Sequence, residues 1–132
     1  MLLIFHCKVI YGTEIPYLVP TLREQGHRIA VCGSIDDHDT GYLDNAFLVL
    51  SADDREMCMA DRSLRSVQTM LQLLVVRNEA QSEDVLLISA MPEEVEAARN
   101  LGIAVINPFV FGRLLMIERT VENVVLRYRE SM

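Results

Sequence analysis

Between Asp84 and Asn107 the apolar pattern changes period twice. Val85-Leu86-Leu87-Ile88 is an unbroken apolar run, the mark of a parallel strand covered on both faces. Pro92 suits the first turn of a helix, where its missing N–H costs nothing, and Glu93 and Glu94 favour that positive end. Val95, Ala98 and Leu101 then recur at helical spacing, and Gly102 stops the helix. Ile103 to Ile106 reads as the next strand. This unit is half of a doubly wound sheet, and its Ser89-Ala90-Met91 loop falls at the end where such sheets bind ligands.

The same reading extends along the chain. Leu2 to Phe5 is predicted as the first, central strand, running on toward Val9-Ile10 until Gly12-Thr13 breaks it. Pro16 and Pro20 flank the start of a helix reaching to about Gln25, with Leu18 and Leu22 on its apolar face and Gly26 at its end. Ile29-Ala30-Val31-Cys32 is the second strand, and Gly33-Ser34 turns the chain at its C-terminal end. Ile35 to Gly41 is polar and turn-rich, with a short helix around Tyr42 to Asn45. Phe47-Leu48-Val49-Leu50 is a third strand, and Ser51 to Asp54 suits a helix start. From Ser63 to Arg77, Leu64, Val67, Met70, Leu71, Leu74 and Val75 form an amphipathic helical stripe. Phe109 to Met116 is apolar without a decisive period, and Glu118 to Glu130 reads as a final helix with Val121, Val124, Val125 and Tyr128 inward. Alternating strands and helices predict one α/β domain over 1–132: a three-layer, Rossmann-like, mainly parallel five-stranded sheet with helices on both faces.

Composition narrows the function. The chain of 132 residues is long enough for a substantial core. Its net charge of −7 argues against broad binding to a nucleic-acid backbone, which needs a basic face. Of the 12 basic residues, Lys8 is the single lysine. Cys7, Cys32 and Cys58 lack C-x-x-C spacing, so neither a disulfide framework nor a zinc motif is expected, and a reducing cytoplasm is. Cys7 and Cys32 fall in strands, where cysteine commonly serves as a small buried apolar residue. Met1 to Phe5 is too short for a signal peptide, and no apolar run approaches the roughly 20 residues of a membrane span.

Glu96-Ala97-Ala98-Arg99-Asn100-Leu101-Gly102, set between two strands, resembles the last conserved segment of the haloacid dehalogenase-like (HAD) hydrolases. Gly26 to Ser34 is similar to the family's second segment, a strand ending in a phosphate-holding hydroxyl. The resemblance covers about residues 2–107 and implies a HAD-like fold, here without a cap domain. It also implies an aspartyl-phosphate mechanism with magnesium, and here the residues depart from the family. His6 stands at the nucleophile and Lys8 at the general acid. Gly33 stands at the usual hydroxyl with Ser34 one step on, and Ala90 replaces the metal-binding acid, leaving Glu93 or Glu94 as substitutes. Lysine is absent beyond Lys8, so Arg62, Arg65 or Arg77 would have to supply the neutralising cation. Magnesium needs hard oxygen ligands, and His6, Lys8 and Ala90 offer none, so no cofactor is expected.

The expected site is therefore vestigial: His6, Lys8, Gly33, Ser34, Ala90 and Glu94, with no catalytic residue and no metal ligand. Lys8, Ser34, Asp36, Asp37 and Asp39 are candidates for binding a ligand, such as a small anion. His6-Cys7 resembles the start of a cysteine-phosphatase loop, but Thr13 stands where the arginine belongs. The expected function is a catalytically inactive HAD-like domain that binds, regulates or scaffolds, through a protein partner or self-association, away from nucleic acid and membrane. The alternative is a HAD-like hydrolase rebuilt around His6 or the Asp36–Asp39 loop. A receiver-type domain would need an Asp after its third strand, which Leu50-Ser51 does not provide.

Overall fold

The computed structural model describes residues 1–6, 9, 18–34, 57–60 and 63–130. Five parallel strands, β1 (Leu2–His6), β2 (Arg28–Ser34), β3 (Met57–Ala60), β4 (Val85–Ile88) and β5 (Ala104–Ile106), lie in the order β3-β2-β1-β4-β5. β1 is central and buried along its whole length. It pairs with β2 from Leu2↔Arg28 to His6↔Cys32 and with β4 from Leu2↔Val85 to Phe5↔Ile88. The chain builds outward on one side of β1 through β2 and β3, then crosses to the other side for β4 and β5. That reversal sets a crevice at the C-terminal ends of β1 and β4, the place where open parallel sheets carry ligands.

Among the described residues the α-helices with defined bounds are α1 (Val19–Glu24), α2 (Leu64–Arg77), α3 (Pro92–Asn100), α4 (Pro108–Glu118) and α5 (Val121–Glu130). Side chains alternate across each strand, which explains why the strands read as continuous apolar runs. Leu3, Phe5, Ile29, Val31, Leu86 and Ile88 meet Val19 and Leu22 of α1, Phe111 and Leu115 of α4, and Val121 and Val124 of α5. Leu2, Ile4, Ala30, Cys32, Val85 and Leu87 meet Val67, Met70, Leu71 and Leu74 of α2 and Ala97 and Ala98 of α3. Helices thus cover both faces of the sheet. On the first face the Phe5 and Phe111 rings meet edge to face, their centroids 5.9 Å apart.

The helix ends follow local chemistry. The Ser63 hydroxyl accepts the Ser66 N–H at the start of α2, and Asn107 Oδ1 accepts the Phe109 N–H ahead of Pro108 in α4. Gly102 closes α3 with φ +71°, a conformation that favours glycine. Two expectations need correction. The undecided stretch from Phe109 to Met116 is helix α4; Phe109, Met116 and Ile117 are exposed while Phe111 and Leu115 are buried, so no apolar stripe was readable. The last helix does not start at Glu118: α4 ends there, Arg119 turns left-handed at φ 66°, and α5 starts at Val121. The continuation of the first strand toward Val9-Ile10 is also corrected: β1 ends at His6 and Val9 is helical. The strand expected at Phe47–Leu50 and the helices at Tyr42–Asn45 and Ser51–Asp54 lie outside the described residues. Among the described residues, no helix is long and apolar enough to cross a membrane.

His27, just before β2, gives the fold a pH dependence. Its side chain is 1 % exposed, and Nε2 stands 3.4 Å from Glu122 Oε1 on α5. Desolvation lowers its pKa below the usual 6.5, outweighing the pull of Glu122 in the other direction. The unfolded chain therefore binds the proton more tightly than the folded one, so this group destabilises the fold as pH falls through 6.5 toward its folded pKa. Urea melts between pH 7.5 and 5 are expected to show a loss that is smaller in His27→Gln. Identical pH profiles for the two proteins would refute that assignment.

Candidate functional site

Four polar side chains converge in the crevice between β1 and β4. His6 is the last residue of β1, and Cys32 is its register partner on β2. Ser89 follows the last residue of β4, and Glu94 lies in the first turn of α3. All are buried, with relative exposures of 2 % for His6, 0 % for Cys32, 2 % for Ser89 and 4 % for Glu94.

The Glu94 carboxylate is the hub. Its Oε2 lies 2.7 Å from His6 Nδ1. Its Oε1 accepts the Ser89 hydroxyl at 2.7 Å and the weaker Cys32 thiol at 3.5 Å. The Ser89 oxygen in turn accepts the Met91 N–H at 3.1 Å. In a capping box an acid in the first turn reaches back directly to the N-cap N–H. Here Ser89 stands between them as a one-hydroxyl relay from Met91 to Glu94. The Ser89 N–H itself donates to the Ile106 carbonyl at 3.3 Å, which ties the loop to β5. A carboxylate near a helix N-terminus is favoured by the helix dipole, and its buried oxygens are supplied with donors as burial demands.

The expected residues divide clearly. His6 and Glu94, 88 positions apart, are brought into direct contact. Gly33 is buried within β2 and Ser34 ends that strand. Ala90 is exposed in the loop after β4, next to the buried Ser89. Arg65 and Arg77 are exposed on α2. Lys8, Asp36, Asp37, Asp39 and Arg62 lie outside the described residues. The sequence missed two participants. Cys32 is buried as expected but does not act as a plain apolar residue, since its sulfur touches Glu94. Ser89 was placed in a binding loop without a partner. The available signal was a polar residue at the end of each of three apolar runs, on strands that the alternation placed side by side.

Magnesium, which the HAD resemblance implies, does not fit this cluster. The ion takes near-octahedral oxygen coordination. The cluster offers one carboxylate, already engaged by three protein groups, beside an imidazole and a thiol. Beyond Ser89 and Ala90 a groove of about 490 Å³ runs beside β5, lined by Val95, Arg99, Val105, Val125 and Tyr128 among others. No protein-family model, no curated protein and no solved structure matches the chain.

Proposed function

We propose that the chain is a capless HAD-like domain, of three-layer Rossmann-like build, that works by binding rather than by hydrolysis. The observation that carries this reading is the His6–Glu94 contact. At the position of the family's attacking aspartate stands an imidazole that is almost wholly buried and held by a glutamate from α3. An aspartyl-phosphate mechanism needs an in-line carboxylate nucleophile and cations to offset the developing charge. Here the residues at that rim bond to one another instead. The parallel pairing of β1 with β4, which brings their C-terminal ends to one rim, supports the kinship.

The partner we assign is a second copy of the chain. Phe109, Met116 and Ile117 on α4 and Leu126 on α5 are large apolar side chains left exposed, with Phe109 82 % accessible. Contiguous exposed apolar patches mark contact sites, and these four side chains lie on two helices that touch one another. A carboxylate-oriented imidazole is also the arrangement of a general base, which is the ground for the second reading, a rebuilt hydrolase acting through His6. One preparation tests both. It is expected to leave a generic phosphate ester intact with or without magnesium, and to sediment as a dimer at rising concentration. Turnover that disappears in His6→Ala would establish the rebuilt hydrolase instead.

A further inference from the structure

The Glu94 cluster has a composition that hydrogen bonding alone does not call for. An imidazole and a carboxylate satisfy one another, and Ser89 completes the carboxylate. The Cys32 thiol adds little to such a clasp, because S–H is a weak donor. The same sulfur adds a great deal to a metal site. We propose that His6, Cys32 and Glu94 bind a thiophilic divalent cation of the zinc class. The inference goes beyond the reading above and stands on this cluster alone, whether or not the HAD kinship holds.

Three elements each contribute one donor: the end of β1, the adjoining residue of β2 and the first turn of α3. The imidazole nitrogen, the thiol sulfur and a carboxylate oxygen all lie within 4.8 Å of one another, and all three residues are buried. Zinc takes nitrogen, sulfur and oxygen donors tetrahedrally, which places donor atoms roughly 3.4–3.6 Å apart. Cys32 Sγ stands 3.5 Å from Glu94 Oε1, the oxygen that Ser89 holds, and within 4.8 Å of the other donors. His6 Nδ1 and Glu94 Oε2, at 2.7 Å, would need to part by only ~0.8 Å to admit the ion. Among the described residues three ligands are offered, and a fourth donor would complete the tetrahedron.

Ser89 holds Oε1 and so orients Oε2 toward the imidazole. Outer partners of this type fix a ligand's direction. Binding would release the thiol proton and the proton shared between His6 and Glu94. Thiolate and imidazole select zinc-class ions over magnesium. The same donor set that refuses the family's usual ion therefore suits a different one.

The test uses the full chain, stripped with a chelator under a thiol-free reductant and then titrated with zinc and with cobalt. The expected result is about one zinc per chain, bound more tightly than micromolar and uncontested by millimolar magnesium. Cobalt should give a thiolate-to-metal charge-transfer band in the near ultraviolet. That band should disappear in Cys32→Ser, which keeps Cys7 and Cys58. Ser89→Ala retains all three donors and should weaken zinc binding about 10–100-fold; it remains decisive if Cys32→Ser does not fold. Absence of bound zinc in the wild-type chain, persistence of the band in Cys32→Ser, or unchanged affinity in Ser89→Ala would each overturn the proposal. Zinc binding and phosphate-ester turnover are separate readouts, so a failure of this proposal is distinguishable from a failure of the reading above.

Discussion

Glu94→Ala is expected to destabilise the domain by about 3–5 kcal/mol, the usual cost of removing one partner from a buried charged or strongly polar pair. The carboxylate serves His6, Ser89 and Cys32 at once. Truncation removes the partner of the His6 nitrogen and the acceptor of the Ser89 hydroxyl, both on almost wholly buried residues. An unsatisfied buried polar group costs about 1–3 kcal/mol, so two of them reach the same range. It also detaches the first turn of α3 from the ends of β1 and β2. Glu94→Gln keeps the volume and one acceptor oxygen and should lose clearly less. Urea melts followed by far-ultraviolet circular dichroism measure both. A loss below about 1 kcal/mol for Glu94→Ala would mean that water reaches the cluster and that its burial is not what holds it together.

The second large effect is expected at the opposite face. Phe111→Ala should cost about 3–5 kcal/mol. The Phe111 ring is fully buried, meets Phe5 of the central strand edge to face, and packs within the core that α1, α4 and α5 share. Removing it leaves a cavity beneath α4, a helix on which Phe109, Met116 and Ile117 are exposed. Its anchorage is thus concentrated in Phe111 and Leu115. Phe111→Leu fills most of the space and should cost no more than about 1.5 kcal/mol. Should Phe111→Ala melt with the wild type, α4 is not held to the sheet in the way described.

Particular residues show what the sequence could and could not disclose. The run Val85–Ile88, Pro92 ahead of α3 and Gly102 behind it are local signals, and strand, helix and turn follow them closely. The α2 stripe was equally plain, because Val67, Met70, Leu71 and Leu74 recur at helical spacing and face the core. α4 hid itself, since apolar residues on every side give no period. β3 is only four residues long, Met57-Cys58-Met59-Ala60, too short a run to carry a strand period. Within the site, His6 and Glu94 were singled out by comparison with a family pattern. Their contact is a matter of register between strands far apart in sequence, and so is the arrival of Cys32 opposite His6. Ser89 acts through a relay whose geometry exists only once α3 has docked.

The placement of β1 also governs how the molecule comes together. This strand receives β2 on one side after a modest stretch of chain, but its other side is met by β4, more than eighty positions away. Closing so long a loop must precede the contacts that reward it. A nascent chain therefore carries its most water-averse segment with one flank uncovered until β4 has been made. Assembly should be slow for a protein of this size, and that waiting period is when it is most open to rescue by a chaperone or to loss by aggregation.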